Sequence, residues 1–228
     1  MLIIADKQLP EPVKKVLSQT GKLIEMESSG IVYDAISGHP DIFFCQCETK
    51  LLAAPNTSQI IIDLLIENNI NWFQGRKTLL GKYPGTAPYN AVVTENLLIH
   101  NLKFTDPEIL KISENKEHIH VEQAYTRCNL ISLNERGFIT SDKGIESVLA
   151  HSGRNVFFVD PSEILLPGFK NGFFGGCCGI KGNQLFVTGS LNYINNGIKI
   201  REFAENCDCS IVELYDGPLI DGGGIFFL

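Results

Sequence analysis

The feature that most constrains this chain is a hairpin that returns along its length. Phe173 to Gly189 (FFGGCCGIKGNQLFVTG) reads as a small-residue strand with two adjacent cysteines, a Lys181-Gly182-Asn183 turn and an apolar return strand. The same plan recurs at Tyr89 to Asn101, at Cys128 to Asp142 and, more loosely, at Asp41 to Asn56. A supersecondary unit repeated at this spacing is the mark of a repeat architecture.

The hairpins divide the sequence into five units, at about residues 2–49, 50–96, 97–136, 137–182 and 183–228. Each opens on a short apolar strand: LIIAD, LLAAP, LLIHN, GFITS and QLFVT. A helix follows in each. Pro10 and Pro12 open the first and Thr57-Ser58 the second, Asp106 caps the third with Pro107 in its first turn, Asp142 leads the fourth, and Asn195 to Cys207 supplies the fifth. A second strand comes next (KLIEM, INWFQ, HIHVEQ, NVFFVD, SIVELYD), and a third strand turns into the following unit. The pattern is β-α-β-β five times over, with no composition shift to mark a linker, so one domain over 1–228 is expected.

Composition excludes several classes of protein. A 44% hydrophobic chain with 21 glycines and 10 prolines is globular and rich in turns. A net charge of −7 with no Lys/Arg run argues against nucleic acid as a partner. No apolar run approaches the roughly 18 residues of a membrane span. The opening MLIIADKQLPEP has no secretion leader, and seven cysteines are an odd number, so reduced thiols in the cytoplasm are expected.

One three-stranded sheet with one helix cannot cover both its faces, whereas five around an axis can. The ends of the first strands then converge on a central pocket, placing Asp6, Asn56, Asn101, Asp142 and Ser190 there. The same residue types are the usual helix caps, and one side chain can serve both purposes.

With five β-α-β-β units, glycine-rich closing motifs and a final Asp221-Gly222-Gly223-Gly224-Ile225, the chain resembles the pentein superfamily over its whole length. That resemblance implies a five-bladed α/β propeller and kinship with guanidine-modifying enzymes: arginine deiminases, amidinotransferases, dimethylargininases and agmatine deiminases. A ribosome anti-association factor shares the fold without catalysis, but the acidic charge here gives that role little weight. The enzymes end on Gly-Gly-Gly-x-His-Cys, whose cysteine attacks the guanidinium carbon. In this sequence Phe226 and Phe227 stand where the His-Cys pair would be. The family's His-x-Asp motif has its analogue at His39-Pro40-Asp41 in the first unit, while the fourth unit offers Gly176-Cys177-Cys178 and no histidine. The family triad therefore does not transfer residue by residue.

Enough chemistry remains for two functional readings. Asp41 can accept two hydrogen bonds from a guanidinium or amine, and His39 can serve as base; equally, Asp41 can bond turn amides with His39 at the rim. A thiolate is the nucleophile such chemistry needs. On a strand Cys177 and Cys178 point to opposite faces, and alignment with Asp41, Asn90 and Asn129 selects Cys178, although a buried free cysteine is also an ordinary core residue. Cys128, beside Arg127 and Asn129, is a second thiol of this kind. Cys45/Cys47 and Cys207/Cys209 lack zinc spacing, and His118/His120 share one strand face without companion ligands and read as solvent-facing, so no metal and no cofactor are expected. The glycines from Gly172 to Gly182 form no phosphate loop and instead let strands crowd together. The first reading is a hydrolase or transferase of guanidine- or amidine-type molecules, with Cys178, His39 and Asp142 as catalytic candidates. The second is a non-catalytic protein that binds a small cationic or amino-acid-like ligand, or a protein partner, in the central pocket.

Overall fold

A computed structural model describes all 228 residues. The chain opens with β1 (Leu2–Asp6), α1 (Glu11–Thr20) and β2 (Lys22–Met26). A one-turn helix α2 (Pro40–Phe43) leads into β3 (Phe44–Cys47), followed by β4 (Lys50–Ala53), α3 (Gln59–Glu67) and β5 (Trp72–Gln74). The third stretch holds β6 (Val92–Val93), β7 (Leu97–His100), α4 (Pro107–Ile112) and β8 (Glu117–His120). Another one-turn helix, α5 (Thr126–Asn129), precedes β9 (Leu130–Leu133), β10 (Gly137–Thr140), α6 (Lys143–His151) and β11 (Val156–Phe158). Finally come β12 (Cys178–Lys181), β13 (Gln184–Val187), α7 (Gly197–Asn206), β14 (Ser210–Glu213) and β15 (Phe226–Phe227).

These strands form three sheets of three, β15-β1-β2, β11-β10-β9 and β12-β13-β14, and one sheet of six, β5-β4-β3-β6-β7-β8. The six-stranded sheet is two triplets joined at the Cys47↔Val93 pairing. Every triplet has the same plan. Its middle strand pairs in parallel with the strand after its helix and antiparallel with the closing strand before it. For β1 that closing strand is β15 from the far end of the chain, with Ile3 opposite Phe227 and Ile4 opposite Phe226.

Local chemistry accounts for these elements. The middle strands β1, β7 and β10 are buried at every residue, which is why they read as unbroken apolar runs. Asp106 accepts a hydrogen bond from Glu108 N at 2.8 Å and Asp142 from Ile145 N at 2.8 Å, so both carboxylates cap their helices as their spacing predicts. Ser58, by contrast, makes no capping bond. The α3 stripe Ile61, Ile62 and Leu65 faces the core, leaving Ile60 and Ile66 exposed. No helix is long and apolar enough to cross a membrane.

Two local expectations are corrected. Cys177 closes a one-turn 3-10 helix, Gly175–Cys177, and only Cys178 lies on the strand, so the two thiols do not alternate across a sheet. The turn replaces strand because Gly175 and Gly176 pack directly against the Arg127–Leu130 backbone and Asp221, where no extended side chains would fit. His120 is half-buried rather than solvent-facing, and its Nδ1 accepts a bond from Leu102 N.

Closure of the chain on itself depends on β15. Phe226 is 2% exposed and packs against the Phe44 ring, with centroids 6.5 Å apart. Truncating such a buried aromatic typically costs about 3–5 kcal/mol. Phe226→Ala is therefore expected to lower the unfolding free energy by that amount, read as a fall in the urea midpoint at constant slope.

Candidate functional site

Five segments that precede closing strands meet at one end of those strands. His39 stands before Pro40, which disfavours helical backbone at the residue it follows, so His39 is extended (φ −71°, ψ 113°) while α2 begins behind it. Asp41 then sits in the first turn of α2, fully buried, and donates its backbone N–H to Gly223 O at 3.1 Å. Asn90 donates Nδ2–H to Asp41 O and to Cys128 Sγ, both at 3.0 Å, while its Oδ1 accepts from Cys128 N at 3.1 Å. Cys128 in turn donates its thiol proton to Asp41 Oδ2 at 3.0 Å. Units one, two and three are thus joined through one buried carboxylate, one amide and one thiol.

A second buried carboxylate, Asp221, accepts from Phe173 N at 2.9 Å and from Gly223 N at 3.0 Å. A third, Asp6, accepts from Gln8 N at 2.7 Å. The His39 ring lies between them, with Nε2 3.7 Å from Asp6 Oδ2 and Nδ1 3.9 Å from Asp221 Oδ1. Burial drives the His39 pKa down to about 4, against the pull of Asp6, so the imidazole is neutral and these approaches are not ion pairs. Burial also raises the carboxyls: Asp41 to about 7, with Asp221 adding to the rise and Arg127 opposing it, and Asp221 to about 6. Asp6 moves upward for the same reason. Two buried atoms are left without partners, His39 Nδ1 and Asp41 Oδ1. In a cluster otherwise tightly bonded, unpartnered buried polar atoms mark a candidate binding site.

Glycine makes the close approach possible. At Gly223 (φ +67°) a Cβ would collide with the His39 side chain, and at Gly176 it would strike Asp221 Oδ1. Arg127 closes the cluster from below. Its Nη1 donates to Gly175 O at 2.7 Å, its Nη2 to Cys178 O at 2.9 Å, and the guanidinium lies over the Phe226 ring, 5.7 Å from its centroid.

The candidate residues fall into three groups. His39, Asp41, Asn90, Cys128 and Asp6 come together in this cluster. Cys177 and Cys178 lie beside it but pack into an apolar core with Phe174, Leu185 and Val187, and burial holds both thiols in the protonated form. The other five serve local structure. Asp142 caps α6 and Ser190 accepts from Asn192 N. Asn56 bonds both backbone groups of Leu79, Asn101 bonds Glu122 O and Lys103 N, and Asn129 bonds Tyr125 O and Ser141 Oγ. None of these five hydrogen-bonds to His39, Asp41 or either thiol. The alignment of Cys178 with Asp41 and Asn129 also shifts: Asp41 is second in its turn, Asn129 last, and Cys178 already the first residue of a strand.

Sequence reasoning passed over Asp221 as a ligand and treated Arg127 lightly. The available signal for Asp221 was its position directly before Gly222-Gly223-Gly224. A cavity of about 550 Å³ lies at the hairpin-turn end of the same strands, around Gln46, Glu48, Asn134 and Glu135, and reaches Arg127 from that side. Two of its three acidic side chains are already satisfied, Glu48 by Lys116 and Glu135 by Asn96. The buried cluster, with shifted carboxyls and orphaned atoms, is the better functional site.

The raised carboxyls give a stability signature. Between pH 4 and 7 the unfolded chain has ionised Asp41 while the folded chain still holds its proton, so stability falls as pH rises and levels off above about 7. Asp41→Asn removes this dependence. Relative to wild type, the variant is expected to gain on the order of a few kcal/mol between pH 4 and pH 8, measured by urea unfolding at each pH.

Solved structures of three enzymes share the fold. DDAH from Pseudomonas aeruginosa, a serine-for-cysteine mutant complexed with citrulline, aligns over 93% of this chain and 91% of its own, with 9% identity and a TM-score of 0.54. Agmatine deiminase from C. jejuni aligns over 94% and 75%, with 12% identity and a TM-score of 0.56. An amidinotransferase from Microseira wollei, in saxitoxin biosynthesis, aligns over 93% and 87%, with 9% identity and a TM-score of 0.57. At such identities the likeness is one of fold, the mixed α/β pentein fold that the repeats imply. Among curated proteins none matches the chain. Residues 4–226 match one family over nearly the whole length, and the chain belongs to the Family of unknown function (DUF6873).

Proposed function

We propose that this protein is a single domain of five β-α-β-β blades around one axis, and that its buried carboxylate cluster takes a small guanidine- or amidine-type cation as substrate of a thiol-dependent hydrolase or transferase. The observation that carries the reading is the cluster itself: Asp6, Asp41 and Asp221 are all buried around a neutral imidazole, with Asp41 Oδ1 and His39 Nδ1 unpartnered. A planar guanidinium offers paired N–H donors to such acceptors and supplies the positive charge that buried carboxylates lack. Fold kinship with guanidine-modifying enzymes supports the same class. Seven unpaired cysteines fit a reducing, cytoplasmic setting.

Geometry favours Cys128 over Cys178 as the reacting thiol, because polar groups surround Cys128 and apolar ones surround Cys178. Burial and the Asp41 charge keep the free thiol protonated. A bound cation offsets both effects: Asp41 at 3.0 Å is placed to take the thiol proton as sulfur adds to the electron-poor carbon and the C=N pair moves to nitrogen, and to return that proton to the amine that leaves when the tetrahedral adduct collapses. His39 is the base at hand for the water that releases product. The second reading, binding without turnover, is favoured by Phe226 and Phe227, which fill the family's His-Cys positions and are committed to pairing with β1.

Incubation with 2-chloroacetamidine followed by peptide mass spectrometry separates the two. Cys128 is expected to be modified, and Cys128→Ser to lose the label. Thermal stabilisation by guanidinium with no cysteine labelled would leave only the binding reading, and no response of either kind would end both. Because cation binding favours ionised Asp41 and Asp221, it releases protons. Affinity should therefore rise with pH through about 6 to 7, and calorimetry in buffers of different ionisation enthalpy will count the protons.

A further inference from the structure

Above the carboxylate cluster runs a continuous band of five aromatic rings drawn from separate loops. Phe104 meets Tyr83 edge-on (centroids 6.4 Å apart), as Tyr83 meets Tyr125 (5.4 Å). The Tyr125 hydroxyl meets that of Tyr33 at 3.2 Å, and Tyr33 packs on Phe169 at 5.8 Å. The inner members belong to the site. Tyr125 directly precedes the α5 turn that carries Arg127 and Cys128, and Tyr33 directly precedes the 3-10 turn Asp34–Ile36, which leads through Ser37 and Gly38 to His39. The Tyr33 hydroxyl, held above its usual pKa mainly by burial, also feels Cys128, Asp221 and Asp41. The outer members face water: Tyr83 is 50% and Phe169 52% exposed, and their loop neighbours Leu80 and Leu165 are 61% and 49% exposed. Exposed apolar groups gathered at the rim of a buried polar site call for a partner.

We infer that this aromatic band is a subsite for an apolar or aromatic substituent carried by the bound cation, so that the preferred ligands are hydrophobic amidines or guanidines rather than amino acids. The inference rests on the reading of the cluster as a cation site. Ring faces carry negative charge at their centres and accept both alkyl surface and cationic groups. Within the carboxylate cluster an acid group on the ligand finds no counterpart. Arg127, the cation whose field reaches Asp41 and Asp221, has its Nη1 and Nη2 committed to the Gly175 and Cys178 carbonyls. A ligand carboxylate would meet three buried carboxylates instead.

The test is calorimetric titration of the full chain with guanidinium, methylguanidine, phenylguanidine, benzamidine and arginine. Burying one ring against the band predicts that phenylguanidine and benzamidine bind at least about tenfold more tightly than methylguanidine, with arginine no tighter than methylguanidine. Tyr83→Ala and Phe169→Ala, both at half-exposed positions where truncation spares the core, should cut the ratio of aryl to simple guanidinium affinity by about tenfold. Ile198→Ala, on the exposed face of α7, should leave the ratio as it is. Aryl and simple cations of equal affinity, or arginine binding tightest, would overturn the subsite. If guanidinium still binds and Asp41→Asn abolishes it, the cluster survives that outcome. If no cation binds at all, cluster and subsite fall together.

Discussion

The segment from Asp221 to Phe227 is the tie on which the molecule depends. In seven residues it reaches three distant parts of the chain. Gly223 O accepts from Asp41 N, Gly222 and Gly224 donate to Gly176 O, Ile225 donates to Cys178 O, and Phe226 and Phe227 pair with β1. Closing so long a chain costs loop entropy, and the growth of that cost with length is slow, so a handful of backbone bonds and two buried rings can offset it. The same tie sets the site, because it delivers Asp221 to His39 and brings a backbone carbonyl to Asp41. Fold closure and site assembly are one event.

That coupling explains how the chain tolerates carboxylates in its interior. An isolated buried charge is expensive, and Asp41 and Asp221 respond by holding their protons closer to neutral pH. Each is anchored by amides or a thiol rather than by a cation, and Arg127 reaches them only through its field while its nitrogens bond carbonyls. A purely structural cluster would be better served by apolar side chains of similar volume. A cluster retained at such cost, with two acceptor atoms left open, has the character of a binding site.

Much of the fold was legible because its signals are local. Five apolar runs, each followed by Pro, Asp or Ser at a helix start, mark the middle strands and their helices, and Asp106 and Asp142 do what their spacing says. The site was legible only in part. His39-Pro40-Asp41 announces itself, since imidazole and carboxylate flank a proline that fixes the turn. The partnership of Asp41 with Cys128 and Asn90 does not, because it spans 87 residues and depends on how neighbouring units meet. Cys178 stands out by strand alternation and by alignment with Asp41, Asn90 and Asn129, but nothing local distinguishes an apolar neighbourhood from a polar one for adjacent thiols. Asp221 looked like part of a glycine-rich closing motif, and its place beside His39 follows from closure.

The distribution of function along each unit follows from this architecture. In every unit the link from the outer strand to the closing strand runs over the same end. The first link supplies Tyr33 and His39, the second Tyr83 and Asn90, the third Tyr125, the fourth Phe169 and the last Asp221. These links carry no sheet ladder, so their side chains can change without disturbing the strand register. The hairpin turns at the opposite end are short and hold the register, and two of the three carboxylates around the cavity between them, Glu48 and Glu135, are already bonded. Buried carboxyls and unpartnered polar atoms therefore concentrate at the link end, beside backbone that the Asp221–Phe227 tie fixes.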